Sequence, residues 1–237
     1  MRLRLRTRRT ALFLAMFVVA MLVFLPMGLV LRWIGLDTQG FTARRASGTI
    51  WSGTLTEARF GDVELGTLRA GLAPLPLLAG RARIDLRSRD GDPEPRLAGA
   101  FTVSRNAVGL DDASGPIPVG QAFAPLPVTA LDLSDVSVRF VDGACESAEG
   151  RVRATLAAGA LPLPGSLSGT ARCAGGALVL PLAGAAGEGA TLSVWQDGRY
   201  RAELSLPAGD PRNAAALQAA GFIDAGQGWR LSAEGRF

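Results

Sequence analysis

Few side chains in this sequence could do chemistry. Two cysteines, Cys145 and Cys173, are the only thiols, there is no histidine, and all 25 cationic side chains are arginine. Without imidazole the chain lacks the usual general base and metal ligand near neutral pH, and without lysine it can form neither a Schiff base nor a phosphate-gripping P-loop. Two thiolates alone leave a tetrahedral zinc site half filled. The expectation is a protein that is not an enzyme, with no catalytic residues, no cofactor and no metal. In an oxidising compartment Cys145 and Cys173 are expected to join, closing a loop worth roughly 3–4 kcal/mol by chain entropy. Two buried, unjoined thiols acting as small apolar side chains are the alternative.

The remaining motifs do not support chemistry. Gly165-Ser-Leu-Ser-Gly169 has the outline of a nucleophile elbow, but Leu167 stands at its centre and no histidine exists to activate a serine. Gly187-Glu-Gly189 lacks the later glycine and the following helix of a phosphate loop. Asp111-Asp112 supplies two carboxylates of the six to eight oxygens that calcium takes, and reads as a solvated turn.

Any partner must be met by the elements that carry these residues, beginning with the N-terminus. Arg2, Arg4, Arg6, Arg8 and Arg9 precede Ala11 to Leu31, a run of 21 residues without a charge. As one helix that run would be roughly 31 Å long, enough for a hydrocarbon core of about 30 Å. The arginines before it predict a cytoplasmic arm over 1–10, an uncleaved transmembrane anchor and interface over 11–36 with Trp33 at the boundary, and a periplasmic domain over 37–237. The expected location is therefore the bacterial inner membrane, single-pass, with most of the chain in the periplasm.

The basic sequence pI of 10.3 belongs to that arm. Residues 1–36 hold six of the 25 arginines and no acid, leaving 19 arginines against all 21 acidic residues in the remainder. With no arginine stripe interleaved with aromatics, nucleic acid is excluded as a partner.

From Gly40 onward, period-two alternation broken by glycine and proline predicts strands. Thr49–Phe60 reads as one strand weakened at Gly53, and Asp62–Leu72, Arg81–Arg87 and Leu97–Ser104 as others. Ala73–Gly80 is a proline-marked connection or sheet edge, and Asp111–Pro118 breaks the strand pattern. Between Ala130 and Val141 the parity slips at Ser134-Asp135, as a bulge or a break would require. An Asp142-Gly143 turn follows, then strands over Glu149–Ala157, Leu167–Cys173, Ala177–Leu182, Ala190–Trp195, Arg199–Leu206 and Gly228–Phe237, with Gln196–Arg199 as a hairpin turn. Pro211–Ala220 is the one helix expected outside the membrane, stopped by Gly221. The Ala-Pro-Leu-Pro units at 73–76 and 124–127 and Leu-Pro-Leu-Pro at 161–164 are irregularly spaced and do not make a repeat period.

Gly48-Thr-Ile-Trp51-Ser-Gly53, the glycine- and proline-marked stretch from Gly71 to Gly80, Cys145 with Gly150, Leu167 to Cys173, and Leu217-Gln-Ala-Ala-Gly-Phe222 before Glu234-Gly235 occur in an order that resembles the type II secretion system protein N family. The family motif falls on Gly48, Trp51 and Gly53. The resemblance implies a mainly β fold, a single N-terminal transmembrane helix followed by a curved, mostly antiparallel β-sheet domain with one short C-terminal helix. It implies a non-enzymatic inner-membrane accessory component of the apparatus that exports folded periplasmic proteins across the outer membrane, with other secretion components and the inner membrane as partners. The organisation is also similar to AsmA-like proteins, and the alternative is a lipid-binding or lipid-transfer β-groove with phospholipid as its ligand.

Overall fold

A computed structural model describes residues 4–29, 41–60, 63–88, 97–120, 122–157, 165–209 and 213–236. Helix α1 (Arg4–Val23) is followed by β1 (Phe41–Thr49), β2 (Ser52–Phe60), β3 (Val63–Ala73), the helical turn α2 (Pro74–Leu78), β4 (Ala82–Ser88), β5 (Ala98–Val103), β6 (Ala107–Pro118), β7 (Val128–Val141) and β8 (Ala144–Leu156). Then come β9 (Ser166–Thr170), β10 (Arg172–Ala174), β11 (Ala177–Ala183), β12 (Gly189–Val194), β13 (Arg199–Pro207), α3 (Ala214–Ala219), β14 (Ile223–Asp224) and β15 (Gly228–Arg236). All the strands form one sheet in the order β1 to β9, β11, β12, β13, β15, β14, with β10 also paired to β11. Successive elements therefore lie side by side, which short turns between alternating segments enforce.

The expected transmembrane helix is not seen among the described residues. No helix among the described residues is long and apolar enough to cross a membrane. Helix α1 has 20 residues but begins inside the arginine arm, so its uncharged part, Thr10 to Val23, covers only about 21 Å. Pro26 explains the early end, because it has no N–H and its ring collides with the carbonyl four residues back. The chain then turns into the sheet: Pro26 bridges Thr49, the Ile50 N–H donates to the Leu25 carbonyl at 3.0 Å, and Met27 is buried against β2 and β3. Trp33 and Arg2 lie outside the described residues.

Bulges, not helices, give the sheet its shape. Asp112 in β6 (φ 50°) and Asp135 in β7 (φ 52°) both adopt left-handed backbone, and the register slips beside each. The Ser114 hydroxyl donates to the Asp135 carboxylate and accepts the Asp135 N–H at 2.9 Å. Gly150 in β8 and Ala171 between β9 and β10 continue the line, the Ala171 N–H donating to the Gly150 carbonyl at 3.0 Å. The parity slip at Ser134-Asp135 is thus a bulge, and bulges in adjacent strands bend and twist a sheet. Asp111–Pro118 does not interrupt the strand as expected. Among the described residues the β5–β6 ladder reaches only Ser114, and Pro116 and Pro118 pair on the β7 side alone, where a missing N–H is tolerated.

The curvature turns the apolar faces of β7, β8, β9, β11, β12 and β13 toward one centre, where Leu131, Ala154, Leu167, Leu182, Leu192 and Leu204 surround a cavity of about 30 Å³. The connection from Val119 to Pro127 folds into this concavity. Its Phe123 and Leu126 are buried, Phe123 meets Tyr200 edge to face at 5.3 Å, and the Tyr200 hydroxyl donates to the Ala122 carbonyl at 2.9 Å. Truncating Leu204, 1% exposed, to alanine is expected to cost about 2–5 kcal/mol in a denaturant titration of the full chain.

Several turns follow from their residues. Asp142 and Gly143, both at positive φ, make the two-residue hairpin between β7 and β8. The β12–β13 hairpin closes through the Trp195 N–H to the Arg199 carbonyl at 3.0 Å, and the Arg199 side chain, hydrogen-bonded to Asp197, holds that carboxyl below its ordinary pKa. Helix α3 ends in a Schellman cap: Phe222 N–H reaches the Leu217 carbonyl and Gly221 N–H that of Gln218, with Leu217 and Phe222 both buried. The expected start at Pro211 lies outside the described residues. The two Ala-Pro-Leu-Pro units have unlike structures, one entering α2 and the other filling the concavity.

Candidate partner-binding cleft

On β4 to β7 the period-two pattern sorts side chains into two rows. Ile84, Phe101, Leu110 and Val138 align across the four strands on one face. The adjacent row, Arg83, Thr102, Gly109 and Arg139, necessarily points to the other face. In that row Gly109 leaves a gap between a threonine and an arginine. The gap is the floor of a cleft of about 220 Å³, lined also by Pro76, Arg81, Ser104 and Asp111.

The cleft is held in shape by ion pairs. The Asp111 carboxylate accepts from Arg83 Nη1 at 2.9 Å and from the Thr102 hydroxyl at 2.7 Å, while Arg83 Nε donates to Asp85 at 3.1 Å. Arg139 Nε lies 3.2 Å from Glu146. These groups are a third to more than half exposed, so the pairs contribute orientation more than stability. Each carboxylate occupies part of a guanidinium fork and leaves other N–H groups open. Arg81, on the same wall, has no ion pair among the described residues. Such an arrangement can bind a planar anion through directional hydrogen bonds. Asp111, expected as a solvated turn, is in fact a strand residue at the centre of this network. It pairs with Ala100 and stands two residues along β6 from Gly109, so that its carboxylate reaches Arg83 and Thr102 across the row.

Gly48, Trp51 and Gly53 lie elsewhere, at the β1–β2 corner. The chain turns at Ile50-Trp51, pairing Gly48 with Gly53, so the expected single strand from Thr49 to Phe60 is a turn followed by β2. Gly48 has φ +89°, and a Cβ on Gly53 would strike the Met27 sulfur. The Leu72 N–H donates to the Ile50 carbonyl at 2.8 Å, opposite the bond from Ile50 to Leu25. This motif clamps the N-terminal segment, the first turn and β3 together, and the clamp is structural.

The family model for type II secretion system protein N matches residues 39–232. The chain belongs to that family. A relative in Vibrio cholerae serotype O1, named type II secretion system protein N, is 29% identical over 147 residues, covering 59% of this chain and 58% of the relative. The chain thus matches less than two thirds of that relative's length. No solved structure matches.

In this protein N family member Cys145 of β8 and Cys173 of β10 are joined, with Cα atoms 5.5 Å apart. The bond crosses the place where the β9–β10 strand is interrupted at Ala171, and the Cys145 N–H reinforces it by donating to the Gly176 carbonyl at 2.9 Å. Arg4, Arg6, Arg8 and Arg9 fall in the first turns of α1. None of these residues, nor the Gly48-Trp51-Gly53 corner, lines the cleft. Among the described residues no group of three or more histidine, cysteine or acidic side chains could hold a metal.

Proposed function

We propose that this protein is a non-enzymatic accessory component of the type II secretion apparatus, aiding the export of folded periplasmic proteins across the outer membrane by engaging other components through its sheet. The observation that carries the reading is the family match over residues 39–232. A chain without histidine or lysine favours a binding role over a catalytic one. The Cys145–Cys173 bond supports placing the sheet in the oxidising periplasm.

Association with the inner membrane is part of this proposal, and the apolar surface of α1 supports it. In α1, Leu12, Phe13, Met16 and Phe17 are 60–71% exposed, and the uncharged stretch that carries them, apolar around the helix, favours a nonaqueous surrounding. Phospholipid is not assigned to the concave face, since about 30 Å³ is far below the roughly 300–1,000 Å³ of ligand pockets.

Removing the gene is expected to leave secreted proteins folded but retained in the periplasm, with export restored by a plasmid copy. The detergent-extracted protein is expected to co-purify with secretion components. Unchanged export together with no co-purifying secretion component would overturn the assignment.

A further inference from the structure

We infer that the cleft on β4 to β7 is a docking site for a partner protein's acidic segment, one that places an Asp or Glu carboxylate between Arg81, Arg83 and Arg139 beside an apolar side chain. This rests on the proposed role in the secretion apparatus and names the partner chemistry that the sheet would recognise.

The charge pattern selects the ligand. Arg83 is fixed from two sides by Asp85 and Asp111, and Arg139 by Glu146, so their guanidinium planes are oriented before anything binds. Preorganised forks lose little side-chain freedom on binding, and the open N–H groups match a planar carboxylate. The three arginines are balanced by the three acids, so the site supplies hydrogen bonds without a strong positive field. The fork fits either anion, but a dianionic phosphate would meet about twice the repulsion from Asp85, Asp111 and Glu146 that a singly charged carboxylate meets.

Gly109 determines the space. A Cβ there would stand 3.1 Å from the Val138 carbonyl oxygen and 4.0 Å from Asp111 Oδ1, filling the floor that a carboxylate would occupy. The apolar requirement comes from α2, whose Pro76 forms one wall. Leu75 and Leu78, on the same five-residue turn as Pro76, are 77% and 88% exposed, and leucines left in water on the turn that walls a polar cleft offer the apolar part of an interface. A peptide supplies both an acid and an apolar neighbour, which a free anion cannot.

The test uses the full-length protein in cells that carry the secretion apparatus, with a photoreactive phenylalanine in place of Leu78. Irradiation is expected to capture a secretion component, and mass spectrometry to place the crosslink beside an Asp or Glu. The double substitution Arg81→Glu and Arg139→Glu, at exposed positions, is expected to lower adduct yield roughly tenfold or more while the thermal unfolding midpoint stays unchanged. Replacing the captured acid in the partner by arginine is expected to restore the adduct with that double variant.

An unaltered adduct yield, a crosslinked peptide without an acid, or an adduct with phospholipid would each overturn the inference. Co-purification separates this failure from failure of the functional reading. If secretion components still co-purify with the double variant at wild-type level, the cleft is not their site. If none co-purifies with the unmodified protein, the functional reading fails first.

Discussion

Gly150→Ala is expected to lower the unfolding free energy by about 2–6 kcal/mol, seen as a lower denaturant midpoint for the full chain. Gly150 has φ +101°, a conformation costing an L side chain roughly 1–3 kcal/mol. The added Cβ would also collide with the Asp135 carbonyl oxygen and Val136 Cα on the neighbouring strand, and relieving such overpacking typically costs another 1–3 kcal/mol. Both terms arise from one feature, the bulge at Asp135 that pushes the β7 backbone toward β8. Gly143→Ala is the control: its φ is +89°, but nothing lies within 4 Å of the new methyl, so only the conformational cost of roughly 1–3 kcal/mol applies, without the overpacking. Equal, small losses at both positions would mean that β7 does not approach β8 as described.

Reducing the Cys145–Cys173 bond, or replacing both residues by serine, is expected to cost about 3–4 kcal/mol, from the entropy of opening a loop with sequence separation 28. The bond spans a weak place. β9 pairs with β11 at only two positions, Leu182–Gly169 and Ala183–Ser168, and Pro181, next along β11, has no N–H to extend that ladder. The β10–β11 hairpin is therefore tied to β8 mainly by the disulfide and by the Cys145 N–H bond to Gly176. Hydrogen exchange in Arg172–Val179 is expected to accelerate on reduction more than in β13. A midpoint indifferent to reductant would show that the bond does not constrain the unfolded chain.

The two faces of the sheet suit different tasks. Loop 119–127 and α3 contribute Phe123, Leu126, Leu217 and Phe222 to the buried apolar cluster, so the inner face stabilises the domain. The other face carries the arginine row, where strand register places charges from four strands in line. A binding role for this face is compatible with a stable core because the two are separated by the pleat of a single sheet.

Much of the β-domain was legible locally. Strands β3, β4, β7, β11, β12, β13 and β15, the Asp142-Gly143 turn, the bulge near Asp135 and the short alanine-rich helix ending at Gly221 all follow from alternation and turn chemistry, which act over neighbouring residues. The cysteine pairing was favoured by compartment, with the buried alternative left open until the strands brought the two Cα atoms to 5.5 Å. What misled the local reading was context. A 21-residue uncharged run passes a length test for crossing a membrane, yet Pro26 and the contact of Leu25 and Met27 with the β1–β2 corner stop the helix at Val23. Asp111–Pro118 looks like a turn because its prolines and acids are poor strand formers, but a one-sided stretch of β6 accommodates them.

The class, a meandering antiparallel sheet without the side chains for common catalysis, is readable from residue order, because alternation and composition are local properties. Strand pairing over long range makes the sheet curve around Phe123 and Leu126 and brings Arg81, Arg83, Asp111 and Arg139, spread over 59 positions, into one cleft. The reason is that register is set by pairing between distant strands, and a single added residue at each bulge changes which side chains become neighbours.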